Sequence, residues 1–360
     1  MKFKFVITNL SGGGAEKVLL ILAETLVERG HEVELIIFED LIEYEIYEGV
    51  KVTVLTEKLT RGWLGKRIIA FHLKKYIARS NDTDLIISAL PFSNEVACLA
   101  NLKNHWCRID NTLGAEIDNL SIRSPQKAKR RLKRYLKIYN KKPLIAISDE
   151  MISDLRGIGI TSKIIKIYNP FNFKEIHLAS EQKDSSIPDK PYVIHVGRFN
   201  HQKRHDILLD AWQLVDAQYS LILLTSFNNE LQRMIDDRGL TASVTIAGFK
   251  KNPYPWITHA DLLVLSSDHE GFGNVIVEAL ECNTPVVSTD CPSGPAEILS
   301  QLPQCLTPVG DVEKLATKIS KCLKDPPNLD CVDLSIYDVN STIALYESLA
   351  KDGSAYDSMS

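Results

Sequence analysis

The chain of 360 residues has no pair of cysteines at C-x-x-C spacing. Its seven cysteines stand at 98, 107, 282, 291, 305, 322 and 331, an odd number with no framework of regular intervals. Neither a disulfide scaffold nor a zinc ribbon fits, so they read as reduced, mostly buried thiols in a cytoplasmic protein, and no metal site is expected. No apolar run is long enough to cross a bilayer. The opening MKFKFVITNL lacks the pattern of a signal peptide. A G-x-G-x-x-G run is also missing, which argues against a nicotinamide dinucleotide. Charge of neither sign dominates: the formal net charge is −4. That argues against a general nucleic-acid binder while leaving room for a local basic face. What is left is the composition of a soluble globular protein, 44% hydrophobic and 24% charged. At about 150 residues per domain, the length suggests two domains.

The most informative stretch is Asp261 to Leu299. It runs DLLVLSS, DHEGFGN, VIVEALECN, TPVVSTD and CPSGPAEIL. The first and fourth pieces are short apolar runs that read as buried strands, and the third has helical length. Asn283 followed by Pro285 stops the helix. The whole is a β-α-β unit with parallel strands. In such sheets ligands bind beyond the carboxyl ends of the strands. Glu270 therefore falls in the turn at the mouth of a site, and Glu278 on the helix that follows. Val275, Ile276, Val277, Ala279 and Leu280 leave that helix little polar surface, so the Glu278 carboxylate needs a hydrogen-bonding partner. The diol of a ribose or sugar is one candidate. The plainer alternative is that both glutamates only complement the helix dipole, at under about 1 kcal/mol each.

Strand and helix alternate along the rest of the chain. Lys2–Thr8 is a strand, Ser11-Gly12-Gly13-Gly14 a loop, Ala15–Arg29 a helix and His31–Phe38 a strand. This is an arrangement that can hold an anion at a helix N-terminus or merely make a tight turn. Short strands follow at Val52–Leu55, Asp84–Leu90, Trp106–Ile109, Leu144–Ser148 and Lys163–Tyr168. Helices lie near Leu64–Arg79, Asn94–Lys103, Pro125–Tyr139 and Asp149–Gly157. Residues 1–170 thus form a first α/β domain with a parallel sheet. Residues 171–191, polar with two prolines at the end, read as a linker. A second block at 192–335 opens with the strand Tyr192–Val196 and the loop Gly197 to Arg204, and repeats the alternation. A last helix spans 336–352, and Asp352–Ser360 reads as frayed.

Three local features carry chemistry. Arg198 and Lys203 are two cations beside a helix N-terminus, where the dipole disfavours positive charge, so an anion is expected between them. Asp82-Thr83-Asp84 has the look of a metal-binding D-x-D, but it precedes its strand, on the side away from ligands, and reads as a strand-entry turn. From Arg123 to Lys142 the chain carries ten Lys and Arg and no acidic residue. Leu132, Tyr135, Leu136 and Tyr139 give that stretch an apolar side. Such a helix can lie on an anionic membrane surface.

Together, the glycine-rich loop, G-R-x-x-x-x-K and E-G-F-G-N-x-x-x-E-A resemble the family-4 retaining glycosyltransferases. The likeness covers nearly the whole chain. It is most specific in IAGFKKNPYPWITHADLLVLSSDHEGFGNVIVEAL and the following PSGPAEIL, similar to bacterial enzymes that extend lipid-linked oligosaccharides, O-antigens and capsules. It implies the GT-B fold: two Rossmann-like domains with parallel sheets facing a central cleft, the last helix returning to the first domain.

By this resemblance Arg198 and Lys203 hold the diphosphate of a UDP-sugar, and Glu278 holds the ribose hydroxyls. Glu270 contacts the donor sugar, with Phe272, Gly273, Asn274 and Val275 beside it. Phe249 and Lys250 lie near the base, and Gly13 and Gly14 close over the diphosphate. The family histidine of the first domain is missing. The matching stretch reads CRIDNT, which leaves Asp110 as a substitute. The implied activity is transfer of a hexose or HexNAc to a hydroxyl of a lipid-linked acceptor, with retention and without metal or other cofactor, at the cytoplasmic face of the inner membrane. Two other readings stand beside it: a UDP-sugar epimerase or soluble synthase on the same fold, and a degenerate sugar-nucleotide-binding subunit.

Overall fold

The structure, a computed structural model, describes all residues except 12, 57–61, 81–82, 217 and 357–360. The chain divides into two compact units: Met1–Phe171 with Ser335–Ser360, and Asn172–Leu334. The first contains β1 (Lys2–Ile7), α1 (Gly14–Glu28), β2 (Glu32–Ile37), β3 (Val50–Val54), α2 (Trp63–Ala78), β4 (Leu85–Ala89) and α3 (Pro91–Ala100). It continues with β5 (His105–Arg108), α4 (Leu113–Arg123), α5 (Pro125–Tyr139), β6 (Leu144–Ala146), α6 (Asp149–Gly157) and β7 (Ile164–Lys166). The second unit contains α7 (Phe173–Ser180), β8 (Tyr192–Val196), α8 (His205–Trp212), β9 (Ser220–Leu224), α9 (Asn229–Asp237), β10 (Val244–Ile246) and α10 (Tyr254–Thr258). Then come β11 (Leu262–Leu265), α11 (Asn274–Glu281), β12 (Val286–Thr289), α12 (Pro295–Ile298), β13 (Leu306–Thr307) and α13 (Val312–Lys324). Helix α14 (Val339–Tyr356) ends the described chain within the first unit.

Both sheets are parallel. The first has the order β3-β2-β1-β4-β5-β6-β7 and the second β10-β9-β8-β11-β12-β13. Parallel strands need covering on both faces, so they read as continuous apolar runs. In β1, Phe3, Phe5 and Ile7 pack with Val18, Leu19, Leu22 and Leu26 of α1, and with Ile343 and Tyr346 of α14. Val6 points to the other face and joins Ile69 and Leu73 of α2 and Val96 and Ala97 of α3. In the second unit, Val193, Leu221, Leu223, Leu262 and Val264 pack with Leu208 of α8 and with Leu315 and Ile319 of α13.

The strand order reverses between β1 and β4, and again between β8 and β11. Such switch points open a crevice at the carboxyl ends of the strands. In the second unit the loops bounding it are those holding Arg198, Lys203 and Glu270. In the first they are the loop before α1 and the turn at Leu90. Leu90 has φ +69°, a conformation costly for a branched side chain and concentrated at functional sites.

Three boundaries differ from expectation. Residues 171–191 are not all linker: α7 lies within them, capped by Asn172, whose side chain accepts from the Glu175 amide. Its His177 reaches Glu281 of α11 at 2.6 Å. The last helix continues to Tyr356 rather than fraying at Asp352. Helix α4, between β5 and α5, had no reading at all. In the D-x-D stretch, Asp82 lies outside the described residues. Asp84 accepts from the Lys2 amide at 2.7 Å, a contact that joins two strand entries.

Candidate functional site

The site of the second unit is built where β8 and β11 end. After Val196 the chain turns through Gly197 and Arg198 into a short 3-10 turn, His201–Lys203, capped by the Asn200 side chain. The turn delivers Lys203, whose Nζ donates to Glu270 Oε1 at 2.7 Å. Glu270 is buried, 6% exposed, so its carboxylate depends on such partners. Ser267 supplies another, donating to the same oxygen at 2.5 Å. The two loops are also stitched through their backbones. Ser266 Oγ donates to the Lys203 carbonyl at 2.8 Å, and the Asp268 amide donates to the Gln202 carbonyl at 2.8 Å. Arg204, at φ +46°, bridges Asp206 and Asp268. Arg198 lies exposed on the same loop.

The turn after Glu270 is held by its neighbour. The Glu270 amide donates to the Pro292 carbonyl at 3.2 Å, and Ser293 Oγ donates to the Gly271 carbonyl at 2.7 Å. Gly294 sits at φ +103°, and a Cβ there would lie 1.8 Å from the Phe272 carbonyl oxygen. Only glycine allows that approach. Gly273, at φ +88°, opens α11. Phe272, Gly273 and Val275 are buried and Asn274 half-buried at this helix start. One turn further, Glu278 accepts from Tyr254 Oη at 3.2 Å. The acid in an apolar helix thus has a phenol partner. Lys250 is drawn elsewhere: it donates to Ser186 at 3.0 Å and lies 4.5 Å over the Trp256 ring. Phe249 is 70% exposed.

Beneath the Lys203 loop lie two buried histidines. The His195 and His205 rings meet edge to face at 4.7 Å. His195 Nδ1 pairs with the Val264 carbonyl at 2.9 Å, so Nδ1 carries the proton. Burial pushes His195 down to about 4, against the pull of that carbonyl. Burial, with His195 and Lys203 nearby, pushes His205 down to about 2. Both rings are neutral at pH 7.

In the first unit Gly13 caps α1 without a side chain. A Cβ there would meet Glu16 Oε2 at 2.0 Å. Gly14 is the first helical residue. Asp110 has a task of its own. Arg108 is fully buried, and its Nε donates to Asp110 Oδ1 at 2.8 Å. The same guanidinium donates to Tyr346 Oη of α14 at 2.8 Å and to Asn169 Oδ1. Burial opposes the Arg108 charge, yet Tyr346 and Asp110 hold its pKa above the ordinary value. Asp110 is therefore the counter-charge of a buried arginine.

Sequence reasoning passed over Ser267, Tyr254, Ser293 and Gly294. Only the S-G-P-A-E run gave a hint, and that by resemblance. It also passed over a cluster in the first unit. Cys98, His105 and Cys107 each offer a ligand atom, all within 4.8 Å of one another. Cysteine spacing gave no sign of it, because Cys98 comes from a helix and the other two from a strand.

Two family models match the chain. Residues 12–175 match the Glycosyltransferase Family 4 model, and residues 190–325 match Glycosyl transferases group 1. The chain carries a Glycosyltransferase Family 4 domain followed by a Glycosyl transferases group 1 domain. It is 27% identical over 313 residues to a Campylobacter jejuni enzyme, covering 82% of this chain and 83% of that one. That enzyme is N-acetylgalactosamine-N,N'-diacetylbacillosaminyl-diphospho-undecaprenol 4-alpha-N-acetylgalactosaminyltransferase. The lipopolysaccharide 1,6-galactosyltransferase of Escherichia coli K12 is 26% identical, with 89% of each chain covered. Among solved structures, Anabaena HepE in complex with UDP and glucose superposes with a TM-score of 0.77 at 22% identity, covering 98% of this chain and 100% of that one. WaaG, a glycosyltransferase involved in lipopolysaccharide biosynthesis, gives 0.69 at 14% identity, covering 99% and 95%. The fold is therefore GT-B. The chain is a glycosyltransferase whose relatives include enzymes of bacterial lipopolysaccharide, capsule and lipid-linked saccharide assembly.

Proposed function

We propose that this glycosyltransferase moves a hexose or HexNAc from a UDP-sugar to a hydroxyl of a lipid-linked saccharide, with retention at the anomeric carbon. The observation that carries this is the Lys203–Glu270 pair at 2.7 Å, at the carboxyl ends of β8 and β11. An ammonium and a buried carboxylate joined in this way offer a diphosphate and a sugar one partner each. In the proposed complex Lys203 and Arg198 turn to the diphosphate, and Glu270 accepts from sugar hydroxyls. Glu278, with Tyr254 beside it, takes the ribose diol. The start of α11 at Phe272, Gly273, Asn274 and Val275 offers backbone amides to the phosphates. Phe249 flanks the base, joined by Lys250 once it leaves Ser186 and Trp256; in the first unit, Gly13 and Gly14 offer the N-terminus of α1 to an anion.

As the anomeric carbon separates from the phosphate oxygen, negative charge grows on the departing diphosphate. Arg198 and Lys203 stabilise it. The acceptor oxygen bonds to the anomeric carbon, and its proton passes to the leaving phosphate oxygen. Side chains alone supply the charge this step needs, and we propose that it runs without a metal. HepE was solved with UDP and with UDP-glucose, which supports the choice of nucleotide.

The acceptor side draws on the first unit. The apolar side of α5 packs inward through Ala128, Tyr135, Ile138 and Tyr139, so this helix does not lie on a membrane by its apolar face. Its outer face carries Lys127, Lys129, Arg130, Lys133 and Lys137, all exposed. Two helices away, α2 exposes Trp63, Leu64, Ile68 and Phe71. Helix α3 joins them: Glu95 takes Lys66 of α2 at 2.5 Å and Arg134 of α5 at 3.9 Å. Basic residues beside exposed aromatics suit an anionic membrane surface. No helix among the described residues is long and apolar enough to cross a membrane. We place the enzyme peripherally, at the cytoplasmic face.

The test is direct. Purified protein is incubated with a panel of radiolabelled UDP-sugars and a lipid-linked saccharide extract, and the product's anomeric configuration is read by NMR. Transfer to lipid with retention is expected. Free epimerised UDP-sugar, a soluble disaccharide product, or binding without turnover would each replace the proposal.

A further inference from the structure

We propose that Cys98, His105 and Cys107 form a binding site for a soft divalent metal of the zinc class. Residues alternate between faces along a strand, so His105 and Cys107 of β5 share one face of the first sheet. Helix α3 packs over that face and brings Cys98 to them. The Cys98 and Cys107 sulfurs are 3.5 Å apart. Two thiolates on one tetrahedral zinc, at about 2.3 Å each, are about 3.8 Å apart. The pair therefore stands within a few tenths of an ångström of ligand spacing, with an imidazole nitrogen inside 4.8 Å of both.

The imidazole turns its Nε2 toward the sulfurs, 3.8 Å from Cys107 Sγ. Asn94 Nδ2 donates to the Arg108 carbonyl at 2.9 Å, so Asn94 Oδ1 accepts the Ser88 hydroxyl proton at 2.6 Å. Ser88 then has only a lone pair to offer His105 Nε2, 2.8 Å away. Nε2 carries the ring proton in the metal-free protein, and it becomes a ligand when that proton moves to Nδ1 and the thiols lose theirs. Nδ1, buried and without a partner among the described residues, has the lone pair that receives that proton. Cys107 and His105 are buried while Cys98 is half-buried, so Cys98 marks the way in. Two thiolates and an imidazole select zinc-like or cuprous ions over magnesium or calcium. Three protein ligands leave a fourth position for water. The ion would tie α3 to the strand that carries Arg108.

Reduced full-length protein is titrated with Co2+ as a spectroscopic probe, then with Zn2+. The expected result is a thiolate-to-cobalt charge-transfer band that saturates at one equivalent and is displaced by zinc. Cys98→Ala and Cys107→Ala should abolish the band, and Cys331→Ala, an exposed thiol, should leave it. His105→Asn should weaken binding by at least the about 10- to 100-fold typical of losing a supporting group. Should Cys107→Ala fail to fold, Cys98→Ala carries the test from its half-buried helix position. Zinc should also raise Tm in the parent chain but not in Cys98→Ala. No band in the reduced protein overturns the proposal. So does a band that survives Cys98→Ala, or a Cys98–Cys107 disulfide that persists under thiol reductant in place of metal binding.

Discussion

Lys203 Nζ and Glu270 Oε1 lie 2.7 Å apart although 67 residues separate them in the chain. Removing one partner leaves the other charge poorly compensated in a buried setting, a loss that typically costs about 3–5 kcal/mol for a fully buried pair. Here Lys203 keeps some solvent contact, so the lower end applies. Lys203→Ala and Glu270→Ala should each lower Tm, and the double variant should lower it by less than the two singles summed. Transfer should fall about 100- to 1000-fold in Lys203→Ala, the scale of one preorganised donor. Near-parent turnover in both singles would end the proposed role.

Gly294 makes a sharper test of how the loop is held. Its φ of +103° and the 1.8 Å approach to the Phe272 carbonyl leave no room for a methyl group. Gly294→Ala must push the 271–273 turn away from Ser293, at a cost of about 1–3 kcal/mol. Because that turn carries Glu270 and starts α11, KM for the UDP-sugar should rise with the fall in Tm. A variant with unchanged Tm would show that the close approach is not part of the native loop.

Acid should destabilise the second unit through His195 and His205. An unfolded histidine titrates near about 6.5, whereas burial holds these two at about 4 and about 2. Below about pH 6.5 the unfolded chain gains protons that the folded chain refuses. Stability is therefore full above that pH and declines below it, at up to about 1.4 kcal/mol per pH unit for each ring. The His195 share levels off near its folded value, and the His205 share continues lower. His205→Phe suits a site already lined by Phe199 at 5.2 Å, and it should remove about half of the slope. The measurement is Tm against pH, and an unaltered slope in that variant would remove His205 from the account.

Membrane contact separates into two components. Charge reversal at Lys127, Lys129, Arg130 and Lys133 should cut sedimentation with anionic vesicles at least about tenfold, and the loss should shrink at high salt. Trp63→Ser with Phe71→Ser should weaken binding at every salt concentration, since the lost interaction is burial of apolar area. Equal binding of parent and both variants to neutral and anionic vesicles would leave the basic face without this role.

The β-α-β unit around Glu270 was legible because parallel strands covered on both faces become unbroken apolar runs, here LLVL and VVST. The misfit of Glu278 in its helix correctly called for a partner. The partner's identity was not legible: Tyr254 sits 24 residues earlier on a five-residue helix with an internal proline. Periodicity also showed that α5 has an apolar side, but not whether core or lipid covers it. The cluster at Cys98 was beyond reach for a similar reason. It depends on α3 crossing β5, a long-range packing that local spacing does not encode.

Asp110 is where sequence and geometry pull apart most, and a single variant decides between them. The resemblance left it standing in for a missing histidine. In the fold its Oδ1 is taken by Arg108, while Oδ2 is buried without a partner. Asp110→Asn keeps the shape and removes the charge, leaving the Arg108 guanidinium to Tyr346 and Asn169. An unpaired buried cation is the costly half of a broken pair, so Tm should fall by several degrees. The C-terminal helix α14, joined to Arg108 through Tyr346, should lose amide-exchange protection along with it. If Asp110 serves only as counter-charge, kcat measured well below the lowered Tm stays within a few-fold of the parent. A loss of a hundredfold or more, with α14 still protected, would instead make the carboxylate part of the chemistry.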